Sequence, residues 1–97
     1  MNKYFEELIN KVRELYGDST LREKLSNEIV ESSTGGGLVK VGINPLFEVV
    51  YAKVDETIIN REDKALLERL IVEAVNSALE KAKQKQAQIM LEIIKRV

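Results

Sequence analysis

The chain has no histidine and no cysteine. That removes the usual general base, the thiolate nucleophile and the common nitrogen and sulfur metal ligands together. Carboxylates are plentiful, but Glu6-Glu7, Asp55-Glu56 and Glu62-Asp63 are neighbours at the ends of elements, where solvated charge serves as well as any acid–base role. The run Gly35-Gly36-Gly37 is followed by Leu38-Val39-Lys40-Val41 and lacks the G-x-x-x-x-G-K-[ST] spacing of a phosphate loop. What remains is cationic chemistry. Lys81, Lys83 and Lys85, with Lys95 and Arg96, place five basic residues in positions 81–97 against the single acid Glu92, while positions 1–80 carry ten basic and fifteen acidic residues. Such an end can neutralise the phosphates of a polyanion, or merely offset the dipole at a helix C-terminus. Lys3, Lys11 and Arg13 belong to the same class of candidate. Lys81 and Lys85 share a helical face and Lys83 points nearly opposite, so a solvated surface and a phosphate-binding one are both open. No aromatic residue interleaves these lysines, which argues against base stacking.

The elements that position them follow from periodicity. Phe5, Leu8, Ile9, Val12 and Leu15 or Tyr16 recur at three and four residues and predict a helix over 2–16. Gly17-Asp18 interrupts it, as a break or only a bend. Thr20 and Glu23 have capping-box spacing for a further segment carrying Leu21, Leu25 and Ile29. Strands are predicted at 28–34, 38–43 and 47–55. The first two are joined by the glycine turn and the last two by Asn44-Pro45. Alternation fails at Val49-Val50, as at a bulge or a strand buried on both faces.

After a link at Glu56–Ile59, Asn60 is a good N-cap with Glu62 and Asp63 in the first turn, and neither glycine nor proline intervenes up to Arg96. A helix over 60–96 would be ~54 Å long at 1.5 Å per residue, against ~20 Å for strands of six residues. It must overhang the sheet. Leu66, Leu67, Leu70, Ile71, Ala74, Val75, Ala78, Leu79 and Ala82 would cover the strands. A second apolar block, Ile89, Met90, Leu91, Ile93, Ile94 and Val97, needs a cover of its own. The stripe of Tyr4, Phe5, Leu8, Ile9 and Val12 offers one, as an antiparallel helix pair within one chain or between two.

Two stretches also carry a resemblance. Gly36-Gly37-Leu38-Val39-Lys40-Val41-x-Ile43-Asn44 resembles the core motif of the YbaB/EbfC family of bacterial nucleoid-associated proteins. So does the later run from Val54-Asp55 through Glu62-Asp63-Lys64-x-Leu66-Leu67-Glu68-x-Leu70-Ile71 to Ala74-Val75-Asn76-x-Ala78. Together they span roughly residues 28 to 82. The resemblance implies a small dimer that binds duplex DNA with little sequence preference. Two departures stand out: Pro45 replaces the glycine usual after the asparagine, and the third strand holds only Lys53 where relatives carry adjacent basic residues.

The 97 residues, 44% apolar and 32% charged with a net charge of −1, suit one domain: an N-terminal helical arm at 1–27, a sheet at 28–55 and a long helix at 60–96. The expected fold is α/β (α+β), in the order α-β-β-β-α, with the long helix across one sheet face and a second subunit on the other face or the edge. A chain this short buries only about two-thirds of its unfolded surface, which favours a homodimer. The expected function is DNA binding through basic residues on projecting helices, affecting nucleoid organisation or gene expression. The alternative is an interaction module whose arms grip a protein. No enzyme activity, cofactor or small-molecule substrate is expected. No apolar run approaches the ~18 residues of a membrane span, and no signal-peptide core is seen, so the chain is expected in the cytoplasm.

Overall fold

The structure, a computed structural model, describes residues 3–60 and 62–96. Seven elements follow in order: α1 (Lys3–Tyr16), α2 (Asp18–Asn27), β1 (Val30–Thr34), β2 (Val39–Ile43), β3 (Val49–Val54), α3 (Glu56–Asn60) and α4 (Lys64–Arg96). The α+β order of helix, three antiparallel strands and long helix is as expected.

The strands lie in the order β1-β2-β3. The Thr34–Leu38 connection turns through three successive glycines with φ of 62, 70 and 98°, a left-handed path that costs other residues about 1–2 kcal/mol each. The turn closes with the Gly37 amide donating to the Thr34 carbonyl at 3.2 Å. Between β2 and β3, Gly42 faces Tyr51 whereas Ile43 faces Val49. Val50 is therefore an extra residue, and the broken alternation at Val49-Val50 is a bulge.

Alternation in β2 sends Val39, Val41 and Ile43 inward, each almost wholly buried. They meet Leu70, Ala74, Ala78 and Ala82 of α4, a four-residue spacing of mostly small side chains that lets the helix lie close on β1 and β2. Polar contacts fix its azimuth. Ser32 Oγ donates to Ser77 Oγ at 2.5 Å, and Thr34 Oγ1 donates to the Leu70 carbonyl at 2.8 Å. The Ser77 side of α4 thus faces β1, and Val75 and Leu79 pack half-buried against the same core.

The long helix starts later than its sequence suggests. Glu56–Asn60 is not a link but the short helix α3, capped by Asp55 Oδ1 accepting from the Thr57 amide at 2.8 Å. It drives Ile58 into the core. Asn60 belongs to α3, and Asp63 caps α4 by accepting from the Leu66 amide at 3.1 Å. At 33 residues, α4 still overhangs the five- and six-residue strands and sets the 53 Å long axis of the chain.

Gly17-Asp18 is a real break: Gly17 adopts φ 76° and ψ 154°, and α2 begins at Asp18, two residues before the Thr20 of the expected capping box. The overhang is covered within one chain. Ile89 and Ile93 of α4 bury against Val12 and Leu25, with Leu8, Leu21, Leu46 and Met90 around them. The cover is thus built from α1, α2 and the β2–β3 turn rather than α1 alone. Leu91, Ile94 and Tyr4 do not join it and stay exposed. Val97 and the Phe5 side chain lie outside the described residues.

Candidate nucleic-acid interface

The arm is tied to the sheet through Asn44, which is 2% exposed. Its Oδ1 accepts from the Leu46 amide at 3.0 Å and the Glu48 amide at 3.1 Å. Its Nδ2 donates to Glu48 Oε1 at 3.0 Å and reaches the Ser26 carbonyl of α2 at 3.5 Å. Gln86 of α4 adds a 2.8 Å hydrogen bond from Nε2 to the Pro45 carbonyl. One turn, Asn44–Phe47, thereby fixes α2, β2 and the overhanging part of α4 to one another. It is closed by the Phe47 amide donating to the Asn44 carbonyl at 2.9 Å.

On this frame the candidate cations are spread out. Lys81 is exposed on α4, and its Nζ donates to the Glu31 carbonyl at 2.9 Å. It thus occupies an acceptor of the edge strand β1, which hinders another strand from adding there. Lys85, on the same face, lies 3.7 Å from Glu28, which also holds Lys24 at 3.8 Å. Lys83 points away and pairs with Glu80 at 3.3 Å. Each of the three therefore has an internal partner, and they form no single stripe. Lys95 is exposed near the end of α4, and Lys3 and Lys11 are exposed on α1. The Arg96 side chain lies outside the described residues. Arg13 lines a groove with Ile9, Leu21, Arg22, Leu25 and Leu46, so Arg22, absent from the sequence candidates, joins the cationic rim of the arm.

Strand register brings together two further cations that sequence reasoning passed over. On the sheet face away from α4, Lys40 of β2 stands directly opposite Lys53 of β3, with Ser33 of β1 on the far side of Lys40. In the next row the Tyr51 ring lies over Gly42, so close that any Cβ there would collide with it. The Tyr51 hydroxyl donates to Glu31 Oε2. That bond, with some burial and the negative charge of Glu31, raises the phenol pKa above its ordinary value of 10.0. Lys53 Nζ sits 4.9 Å from the centre of the same ring. Lys40 and Lys53 each fall between inward-facing residues in the sequence, but only the register makes them neighbours.

Another surface is apolar. Val49, Val50 and Val54 of β3, Ile59 of α3, and Ile71 and Val72 of α4 are all exposed. No helix among the described residues is long and apolar enough to cross a membrane.

Comparison with known proteins agrees with this architecture. The model of the YbaB/EbfC DNA-binding family matches residues 2–97. A nucleoid-associated protein from Anaeromyxobacter dehalogenans is 52% identical over 62 residues, which are 64% of this chain and 60% of that protein. The chain thus spans under two-thirds of that relative's length. A nucleoid-associated protein from Moorella thermoacetica is 34% identical over 93 residues, covering 96% of this chain and 86% of its own. The structure superposes on that of an uncharacterized protein from Helicobacter pylori with a TM-score of 0.72, at 24% identity over 97% of this chain and 98% of that one, a likeness of fold. With the family model spanning nearly every residue and the helix–sheet–helix order it implies in place, the chain belongs to the YbaB/EbfC DNA-binding family.

Proposed function

We propose that the protein is a nucleoid-associated, duplex-DNA-binding protein. In this reading it acts as a homodimer in the cytoplasm, with residues 1–97 forming one unit and no catalytic activity. The observation that carries this reading is the family match over residues 2–97. Relatives named nucleoid-associated proteins support it.

The DNA surface we assign is the projecting end of the molecule: Lys81, Lys83, Lys85, Lys95 and Arg96 of α4, and Lys3, Lys11 and Arg13 of α1. Contacts there would be to phosphates, salt-sensitive and weakly discriminating among sequences. The internal partners of Lys83 and Lys85 are no obstacle, because exposed ion pairs are worth only about 0–1 kcal/mol and phosphates can replace them. A second copy would cover the apolar surface of β3, α3 and α4, which is otherwise exposed to water.

The test is a salt titration of binding to unrelated duplexes with the triple variant Lys81→Gln, Lys83→Gln, Lys85→Gln. The slope of log affinity against log salt should fall by up to about 0.9 for each phosphate no longer neutralised, with little change in stability. Sedimentation equilibrium on the same samples should give a dimer at micromolar concentration. Parental affinity and slope in the triple variant would move the function away from this patch, toward arms that grip a protein partner.

A further inference from the structure

The outer face of the sheet carries an unfavourable arrangement that no ion pair among the described residues relieves. Lys40 and Lys53 are directly opposed on neighbouring strands, where Cβ atoms sit about 4.5–5.5 Å apart and like charges repel. Two carboxylates on or beside these strands each accept from an uncharged donor: Glu31 from the Tyr51 hydroxyl and Asp55 from the Thr57 amide. Bonding to Thr57, more than the nearby positive charge of Lys40, holds the Asp55 carboxyl below its ordinary value. Among the described residues neither lysine forms an ion pair, in contrast to Lys64, Lys83 and Lys85.

The face is also open to solvent. Its residues Glu31, Ser33, Lys40 and Lys53 are exposed. The absence of a side chain at Gly42 lets the Tyr51 ring lie down over the strand. Helix α4 covers the opposite face. The apolar surface assigned above to a second copy includes Val54, which pairs with the inward-facing Val39, so dimerisation there leaves the outer face free.

We propose that this outer face is a second contact surface for the phosphate backbone of duplex DNA, centred on Lys40 and Lys53 with the Ser33 hydroxyl beside them. A phosphate between the two ammonium groups removes their repulsion and releases counterions, and serine hydroxyls donate to phosphate oxygens. The identity of the polyanion rests on the DNA-binding reading above; the site does not, since none of its residues belongs to the helical candidates.

The test is a titration of the isotopically labelled full chain with a short duplex of arbitrary sequence, followed by amide chemical shifts. A parallel salt titration uses the variant Lys40→Gln, Lys53→Gln. The amides of Ser33, Lys40, Gly42 and Lys53 should shift in the parent and in the triple variant at 81, 83 and 85. In the Lys40/Lys53 variant the salt slope should fall by about 0.9 for the one phosphate no longer neutralised, while its melting temperature stays level or rises as the repulsion is relieved. Shifts confined to α1, α2 and α4, with parental slope in the Lys40/Lys53 variant, overturn this proposal and leave the helical one standing. No shift anywhere overturns both.

Discussion

Replacing Asn44 by alanine tests whether the turn after β2 holds the arm to the sheet. The side chain is nearly fully buried and makes two hydrogen bonds as acceptor from backbone amides, Leu46 and Glu48, and a third as donor to Glu48 Oε1. Alanine keeps the backbone but leaves both amides without an acceptor in a part-buried site. A net hydrogen bond is worth about 1 kcal/mol and an orphaned buried donor costs about 1–3 kcal/mol. With the amides partly reachable by water, stability should fall by about 2–4 kcal/mol. That is a large share of the ~5–15 kcal/mol that holds a domain together. In a chain of this size it corresponds to a fall in Tm of roughly 10–20 °C. Thermal and urea unfolding at one fixed protein concentration would measure it, since any self-association makes Tm depend on concentration. Asn44→Asp keeps the acceptor for both amides but places a second carboxylate against Glu48. Adding Glu48→Gln, whose amide can donate to that carboxylate, should restore part of the stability. A fall in Tm under about 4 °C for Asn44→Ala, equivalent to less than about 1 kcal/mol, would refute the argument that this side chain is the link.

Gly36→Ala and Gly35→Ala should separate backbone strain from crowding. A Cβ at Gly36 meets nothing within 4 Å, so only its φ of 70° matters and the cost should be about 1–2 kcal/mol. At Gly35 a Cβ would also sit 2.9 Å from Leu70 Cδ1, so urea unfolding should show the larger destabilisation there. The phenol of Tyr51 should ionise above the ordinary tyrosine value of 10.0, as read from the difference between ultraviolet titrations of the parent and Tyr51→Phe. Its contribution to stability is then fully present below that value and disappears as pH rises through the folded one, and Glu31→Gln should bring the midpoint back down.

Much of the fold is local and could be read from the chain. Three consecutive glycines between β-forming runs specify a hairpin, the doubled valine at 49–50 marks a bulge or a strand buried on both faces and the register decides for the bulge, and the lack of glycine or proline up to Arg96 specifies a helix longer than its sheet. The readings that failed are those where two local signals compete. Asn60 and Asp63 are both good caps, and the choice falls to Asp63 because Glu56–Asn60 gains a turn of helix that buries Ile58, a tertiary benefit that propensity does not register. Likewise Leu91 and Ile94 look equivalent to Ile89 and Ile93 until the azimuth of α4 is set by Ser77 and Leu70 against β1. The candidate site was less legible for the same reason. A cation's availability depends on which acids the fold brings within reach, and sequence distance is a poor guide to that. Lys85 finds Glu28 across the molecule, while Lys53 lies two residues from Asp55 and forms no ion pair among the described residues, because Asp55 is turned to the Thr57 amide. Clustering along the chain singles out residues 81–85, whereas pairing in space sets Lys40 opposite Lys53 with no ion pair to either among the described residues.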